Sequence, residues 1–432
     1  WKTFYAGKFG EEHLRNQSDP DIWRKITTVS DAVIWKQRLK AKKEFLDFLR
    51  KKMARDLGRR QENPKVIYQT LEGITEDALY IGFARRFATY KRAHLLFNDL
   101  PKLSGLVNNK ERPLRFVFAG KAHPNDKPGQ DLIKRIVGIT KMPEFIGKIF
   151  FLENYDMAVG RSLVSGVDIW MNTPTRPLEA SGTSGEKAIM NGVLNLSVLD
   201  GWWAEGYRQN AGWAIPEAKT YANQAFQDEL DAEIIYRLLE DEIMPMYFDK
   251  NKEGLSHKWV AFMKNKFAEI APRFTMKRML DDYYALFYSK LFKRIKKIRE
   301  NNYQMASEIE NWKNHIQENW HNIEIRSVTI PDSTNNPLNL GDNFQAEIVI
   351  FTNGIKPEDI GVDIVLGQKE MDKVSKIYQQ MELKLVKSGN QEGIYSCNLN
   401  LPDSGVFDFA FRIFPKSEFL PHRQDFSLVK WI

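Results

Sequence analysis

Residues 78–86 read Ala78-Leu79-Tyr80-Ile81-Gly82-Phe83-Ala84-Arg85-Arg86, an uninterrupted non-polar run that stops at two arginines. Such a run, without polar alternation, fits a strand buried on both faces, as in parallel sheets. Largely apolar runs follow at Arg115–Ala119, Ile149–Leu152, Val167–Met171 and Val193–Leu199. Segments of helical character separate them. Upstream, residues 22–60 carry Ile22, Ile26, Val33, Ile34, Phe45 and Leu49 at roughly helical intervals. Alternating strands and helices predict an α/β fold with a doubly wound parallel sheet. Ligands of such sheets sit beyond the carboxyl ends of the strands. Charged residues stand there: Arg85-Arg86 after the first run, Gly120-Lys121 after the second, Glu153-Asn154-Tyr155 after the third.

Residues 218–300 read as a string of helices, and Gln304–Asn319 as a polar helix. The pattern then changes to strands at 323–330, 344–350, 362–366, 381–386, 395–401 and 407–414, separated by Asn-Asn-Pro, Leu-Gly-Asp, Ser-Gly-Asn and Asp-Ser-Gly. That predicts a small all-β sandwich. The expected organisation is a Rossmann-like domain over 1–300, a helical linker over 301–320 and a β-sandwich domain over 321–432. A chain of 432 residues is too long for one ordinary domain.

Composition narrows the function classes. The net charge of +7 is concentrated in Lys36–Arg60 and Lys290–Arg299. In the second segment Leu291, Ile295 and Ile298 fall at helical spacing among Lys293, Arg294, Lys296, Lys297 and Arg299. A membrane or nucleic-acid helix has that pattern, but an apolar face packed on a core with a solvated basic face has it more often. Neither nucleic acid nor membrane is therefore expected as a partner. The single Cys397 excludes an internal disulfide and any CxxC metal site, which fits a reducing, cytoplasmic setting. His123, beside Pro124, has no partner cluster, so no metal is expected. No GxGxxG follows any strand-like run, which argues against dinucleotide binding.

The chemistry gathers in a few stretches. Gly82–Arg92 places Arg85, Arg86, Lys91 and Arg92 within eight residues of one another, a plausible anion clamp. Glu179-Ala180-Ser181-Gly182-Thr183-Ser184-Gly185-Glu186-Lys187 joins a carboxylate, a run of small residues and a lysine. Small residues let several backbone N–H groups converge on a phosphate or a sugar hydroxyl. A helix starting near Thr183 adds its dipole, and a lysine in such a pocket is able to form a Schiff base. Taken alone, the run is equally an ordinary helix-capping loop. Ala119–Pro124, Phe151–Tyr155 and Asn191–Trp203 complete the set.

In order and spacing these stretches resemble the α-glucan (glycogen, starch, maltodextrin) phosphorylases, above all their short bacterial and archaeal branch. The specific motifs span residues 78–207, a looser likeness covers 1–285, and the tail through Leu420–Phe426 looks like the extra β domain of that branch. The resemblance implies the C-terminal portion of a two-domain, GT-B-type retaining glycosyltransferase. It implies pyridoxal 5′-phosphate as cofactor, with Lys187 as its Schiff-base lysine. Thr183, Ser184 and Arg85 would hold the cofactor phosphate, and Tyr155 would line its pocket. Arg86 and Lys91 would hold inorganic phosphate. Glu179, with the N–H groups of Ser181 and Gly182, would meet the sugar. The implied partners are an α-glucan, inorganic phosphate, the protein's own N-terminal domain and a second copy in a homo-oligomer.

The chain departs from the animal branch at Arg85, Ala88 and Thr89, where that branch has Lys, His and Glu. Asp156 replaces an Arg, and Glu186 stands where Met is usual. The Gly-rich loop that the family's N-terminal domain places over the phosphates is not found, so this chain by itself is expected to be inactive. Two other functions fit parts of the sequence: a nucleotide-sugar glycosyltransferase of the same architecture, and a non-catalytic glucan-binding module carried by the sandwich.

Overall fold

The computed structural model describes residues 1–432 apart from 217–220, 332–342, 371–372, 390 and 401–406. The chain divides into two compact units, Trp1–Asp281 and Asp282–Ile432. The basic segment Lys290–Arg299, expected in the first domain, thus groups with the second unit.

The first unit is built on a six-stranded parallel sheet. Its strands are β1 (Leu79–Ala84), β2 (Leu114–Ala119), β3 (Ile149–Leu152), β4 (Ile169–Asn172), β5 (Leu194–Val198) and β6 (Trp213–Ile215), in the order β3-β2-β1-β4-β5-β6. The first five match the apolar runs. The sixth has only three residues, too few to carry a periodic signal. Side chains alternate between two cores. Leu79, Ile81 and Phe83 join one cluster with Phe116, Phe118 and Leu196. Tyr80, Ala84, Val117 and Ala119 join another beneath the helix Asp31–Arg59. Burying one such large side chain contributes about 1.5–3 kcal/mol, so both faces of β1 read as apolar.

Charges also hold the unit together. Arg38 and Lys42, on the helix Asp31–Arg59, are buried at the amino-terminal edge of β1 and β4. Asp168 faces both: its Oδ2 accepts from Lys42 Nζ at 2.9 Å and from the Tyr80 amide at 2.9 Å, and its Oδ1 lies 3.6 Å from Arg38 Nε. Lys42 also donates to the Tyr247 hydroxyl at 2.7 Å.

The second unit contains helices Ser289–Arg299 and Gln304–Asn319 and two four-stranded antiparallel sheets. One sheet holds β10 (Lys373–Glu382), β9 (Ile360–Glu370), β13 (Phe407–Pro415) and β14 (Lys430–Trp431). The other holds β11 (Lys384–Ser388), β12 (Glu392–Asn400), β8 (Asn343–Phe351) and β7 (Glu324–Thr329). Ile348 and Ile350 of one sheet share a core with Val362, Ile364 and Ile413 of the other, which is sandwich packing.

Two expectations are corrected here. The strand expected at 381–386 is the junction of β10 and β11, which lie in different sheets; its alternation runs on across the junction because Met381, Leu383 and Leu385 all pack on the shared core. The apolar face of the basic helix is not packed on a core, since Leu291 and Ile295 are 45% and 47% exposed. Periodicity records that a face is apolar, not that something covers it. The turn stretches Asn335–Pro337, Leu340–Asp342 and Asp403–Gly405, and residues Asn390 and Leu401, lie outside the described residues. No described helix is long and apolar enough to cross a membrane.

Candidate anion and cofactor site

In the sheet order β3-β2-β1-β4-β5-β6, all strands parallel, the strand order reverses between β1 and β4, and the crevice outside that reversal is where such sheets bind ligands. The loop after β1 carries Arg85, Arg86 and Lys91, and the loop after β4 leads to Glu179. The two loops are strapped together. Thr175 N donates to Tyr90 O at 2.7 Å, and the Thr173 hydroxyl reaches the carbonyls of Lys91 and Arg92 at 3.3 Å.

Five side chains converge. Arg85 Nη2 donates to both carboxylate oxygens of Glu179, at 2.9 and 2.8 Å. Lys91 Nζ donates to Glu179 Oε2 and sits 4.4 Å from the centroid of the Tyr90 ring. Burial pushes the Tyr90 hydroxyl pKa up, but hydrogen bonds with Lys91 and Arg86 outweigh it and hold the pKa below its ordinary value. Those contacts bring the exposed Arg86 into the group. Desolvation lowers the pKa of Arg85 and the Glu179 charge opposes the shift; guanidinium stays protonated regardless. The Glu179 carboxylate is buried against these cations. Its amide donates to Asp200 Oδ2 at 2.9 Å, and the other oxygen of Asp200 accepts from Gly201 N at 2.9 Å.

Arg92 corrects the four-cation clamp. Its side chain is buried and turned the other way, donating to Thr173 O at 3.0 Å and Pro174 O at 2.9 Å. It pairs with Asp228 and Asp231 at 3.0 and 2.7 Å on the helix Gln224–Arg237, and His94 joins Asp228 at 2.9 Å. Its backbone is left-handed, at φ +49°. Arg92 is thus a brace for the loop, its buried side chain committed to these partners.

The small-residue run has a steric cause besides any ligand. Gly182 caps the helix Thr183–Met190 with φ +99°. A Cβ on Gly185 would lie 2.8 Å from Trp202 Nε1, so the indole of Trp202 demands a glycine there. The Trp202 amide in turn donates to Ser181 O at 2.8 Å. The helix has no side-chain cap; the Gly185 amide donates to Gly182 O at 3.0 Å, and the amides of Thr183 and Ser184 are left for another acceptor. Lys187 lies one turn further on, exposed; the contacts that join Arg85, Lys91 and Glu179 do not include it. Its charge acts on Glu186, whose carboxyl is nonetheless raised because burial dominates. Tyr155, after β3, has its hydroxyl raised by burial with help from Asp156. Neither Ser184 nor Tyr155 touches the Glu179 group.

A phosphate-bearing cofactor fits these residues. Arg85 Nε and Nη1 are buried and lack any hydrogen-bond partner, and buried donors are rarely left so. A phosphate group would supply acceptors for these nitrogens through charge-assisted hydrogen bonds. Sequence reasoning did not assign roles to Tyr90, Asp200, Asp228 or Asp231. Asp200 stood in a quoted motif, but its target is a backbone amide 21 residues away, which no local pattern reveals.

Residues 37–212 match the family model described as carbohydrate phosphorylase, and residues 320–432 match that described as glycogen phosphorylase C-terminal domain. Maltodextrin phosphorylase of Thermococcus litoralis is 39% identical over 436 residues, which are 99% of this chain and 49% of that protein. Glycogen phosphorylase of Aquifex aeolicus is 39% identical over 292 residues, 68% of this chain and 42% of that protein. Glycogen phosphorylase of Mycobacterium tuberculosis is 30% identical over 423 residues, 97% of this chain and 48% of that protein. The chain belongs to the α-glucan phosphorylase family. It spans about half the length of the curated relatives it matches.

Proposed function

We propose that this chain is the cofactor- and phosphate-binding part of an α-1,4-glucan phosphorylase. The reaction is retaining phosphorolysis of terminal glucosyl units to glucose 1-phosphate. The observation that carries the reading is the guanidinium of Arg85, with two buried unpaired nitrogens, held on Glu179 beside Lys91 at the sheet's reversal point.

Pyridoxal 5′-phosphate would be held by the Lys187 amine, by Arg85 and by the uncapped amides at Thr183 and Ser184, with Tyr155 lining its pocket. When bound, it supplies a phosphate group for acid/base work next to the reacting phosphate. This chain's own residues do the rest. Arg86 and Lys91 orient inorganic phosphate and offset the repulsion between two adjacent anions. Glu179 accepts hydrogen bonds from sugar hydroxyls, with the N–H groups of Ser181 and Gly182 beside it. Asp200 fixes the backbone on which Glu179 stands. The Arg92–Asp228–Asp231 brace fixes the loop on which Lys91 stands.

In this reading the chain is the C-terminal half of a GT-B-type enzyme, and the other half supplies the facing wall of the cleft and excludes water. It works in a reducing cytoplasm. The test is phosphorolysis of maltooligosaccharide by the chain joined to a matching N-terminal half, with glucose 1-phosphate as readout. Borohydride trapping followed by peptide mass analysis should place a pyridoxyl adduct on Lys187. A joined enzyme that makes no glucose 1-phosphate, or an adduct on another lysine, ends this reading.

A further inference from the structure

We infer that Glu179 is the internal counter-ion of the phosphate site, so that inorganic phosphate binds in competition with this carboxylate. The inference rests on the reading of Arg85, Arg86 and Lys91 as an anion site. It adds a role for the one acid at their centre.

Both Glu179 oxygens are engaged by Arg85, and Oε2 also takes the Lys91 ammonium. The carboxylate is buried, and its backbone is tied to Asp200, so it cannot swing out into water cheaply. Three cations and one carboxylate leave the group at 3 − 1 = +2 (Arg85, Arg86, Lys91, Glu179), which matches a phosphate dianion. An incoming phosphate has access to exposed Arg86. It also competes for Lys91, whose ammonium has three donors to share. Like charge between phosphate and Glu179 opposes this binding. Each donor that phosphate takes from Glu179 leaves a buried acceptor needing a partner, and a sugar hydroxyl is such a donor. The carboxylate therefore restrains phosphate when it binds alone and is released toward sugar when phosphate arrives.

The test is calorimetric titration of the chain with inorganic phosphate, comparing wild type with Glu179→Gln and Glu179→Asp, and with Lys91→Met as a control. The expected result is phosphate affinity about tenfold tighter in Glu179→Gln, where the like charge is gone. Glu179→Asp, which keeps the charge, should stay within about threefold of wild type. Should Glu179→Gln be only marginally folded, thermal unfolding reports the same quantity, because tighter binding produces a larger phosphate-dependent rise in Tm. Phosphate that binds wild type, weakens with Lys91→Met and binds no tighter in Glu179→Gln overturns the counter-ion role and leaves the anion site standing. Phosphate that binds neither wild type nor Glu179→Gln overturns both. Binding to Glu179→Gln alone supports the role in its strongest form.

Discussion

Replacing Asp168 by alanine should cost the first unit much of its stability. The carboxylate is 1% exposed and is the shared partner of Lys42, 2% exposed, and Arg38, fully buried. Burial pushes the Lys42 ammonium pKa down, and the Asp168 charge opposes that. Removing the acid leaves two buried cations facing each other and strands the Tyr80 amide, whose acceptor is Asp168 Oδ2 at 2.9 Å. Breaking a buried ion pair by deleting one partner costs about 3–5 kcal/mol. An orphaned buried amide costs about 1–3 kcal/mol. The two losses share one side chain and do not add, so about 4 kcal/mol is expected. For a unit of this size that corresponds to a fall in Tm of about 10 °C. Urea unfolding followed by tryptophan fluorescence measures it. Lys42→Met combined with Asp168→Ala should cost less than the sum of the two single changes, because the pair is removed together. A loss below about 1 kcal/mol for Asp168→Ala, the range of exposed pairs, would refute the reasoning.

Other predictions are independent of that one. Lys187→Ala should abolish the aldehyde-lysine absorbance on addition of pyridoxal 5′-phosphate and all phosphorolysis in the joined enzyme; an unchanged spectrum would show that another amine binds it. Gly201→Ala should destabilise by about 1–3 kcal/mol and weaken phosphate binding. Its φ of +54° disfavours a side chain, and the new Cβ would stand 2.3 Å from the Ser181 carbonyl in the loop that carries Glu179; unfolding curves and phosphate titration check both effects. His13 is buried with an unpartnered Nδ1, and burial lowers its pKa below 6.5. In that window the unfolded chain binds the proton first, so stability should fall as pH drops below about 6.5. His13→Phe should flatten this part of the stability–pH curve. Arg92→Met should weaken phosphate binding although Arg92 touches no anion, and should be measurable by the same titration as loss of the brace under Lys91.

The parallel sheet was legible because a strand buried on both faces is largely apolar, as Leu79–Ala84 and Ile149–Leu152 are. The motifs after β1 and before Lys187 were legible because glycine, lysine and arginine in short order have few uses. The three-residue β6 was not legible, nor was the change of sheet between β10 and β11. A strand's partner is chosen by chain segments far away in sequence, and no local period encodes it. The basic helix read as a packed amphipathic element, yet its apolar face is bare.

From sequence alone, then, came the residue types at the site, their place after strand ends, and the family they resemble. Tertiary structure decided how they are used. Arg85 and Arg92 look interchangeable on paper, seven residues apart in one cationic run. One ends with two free donors beside Glu179, and the other is consumed by Asp228 and Asp231. The difference is made by a helix more than 130 residues away. Charge is a property of a residue, whereas the availability of that charge depends on which partners the fold brings within hydrogen-bond reach.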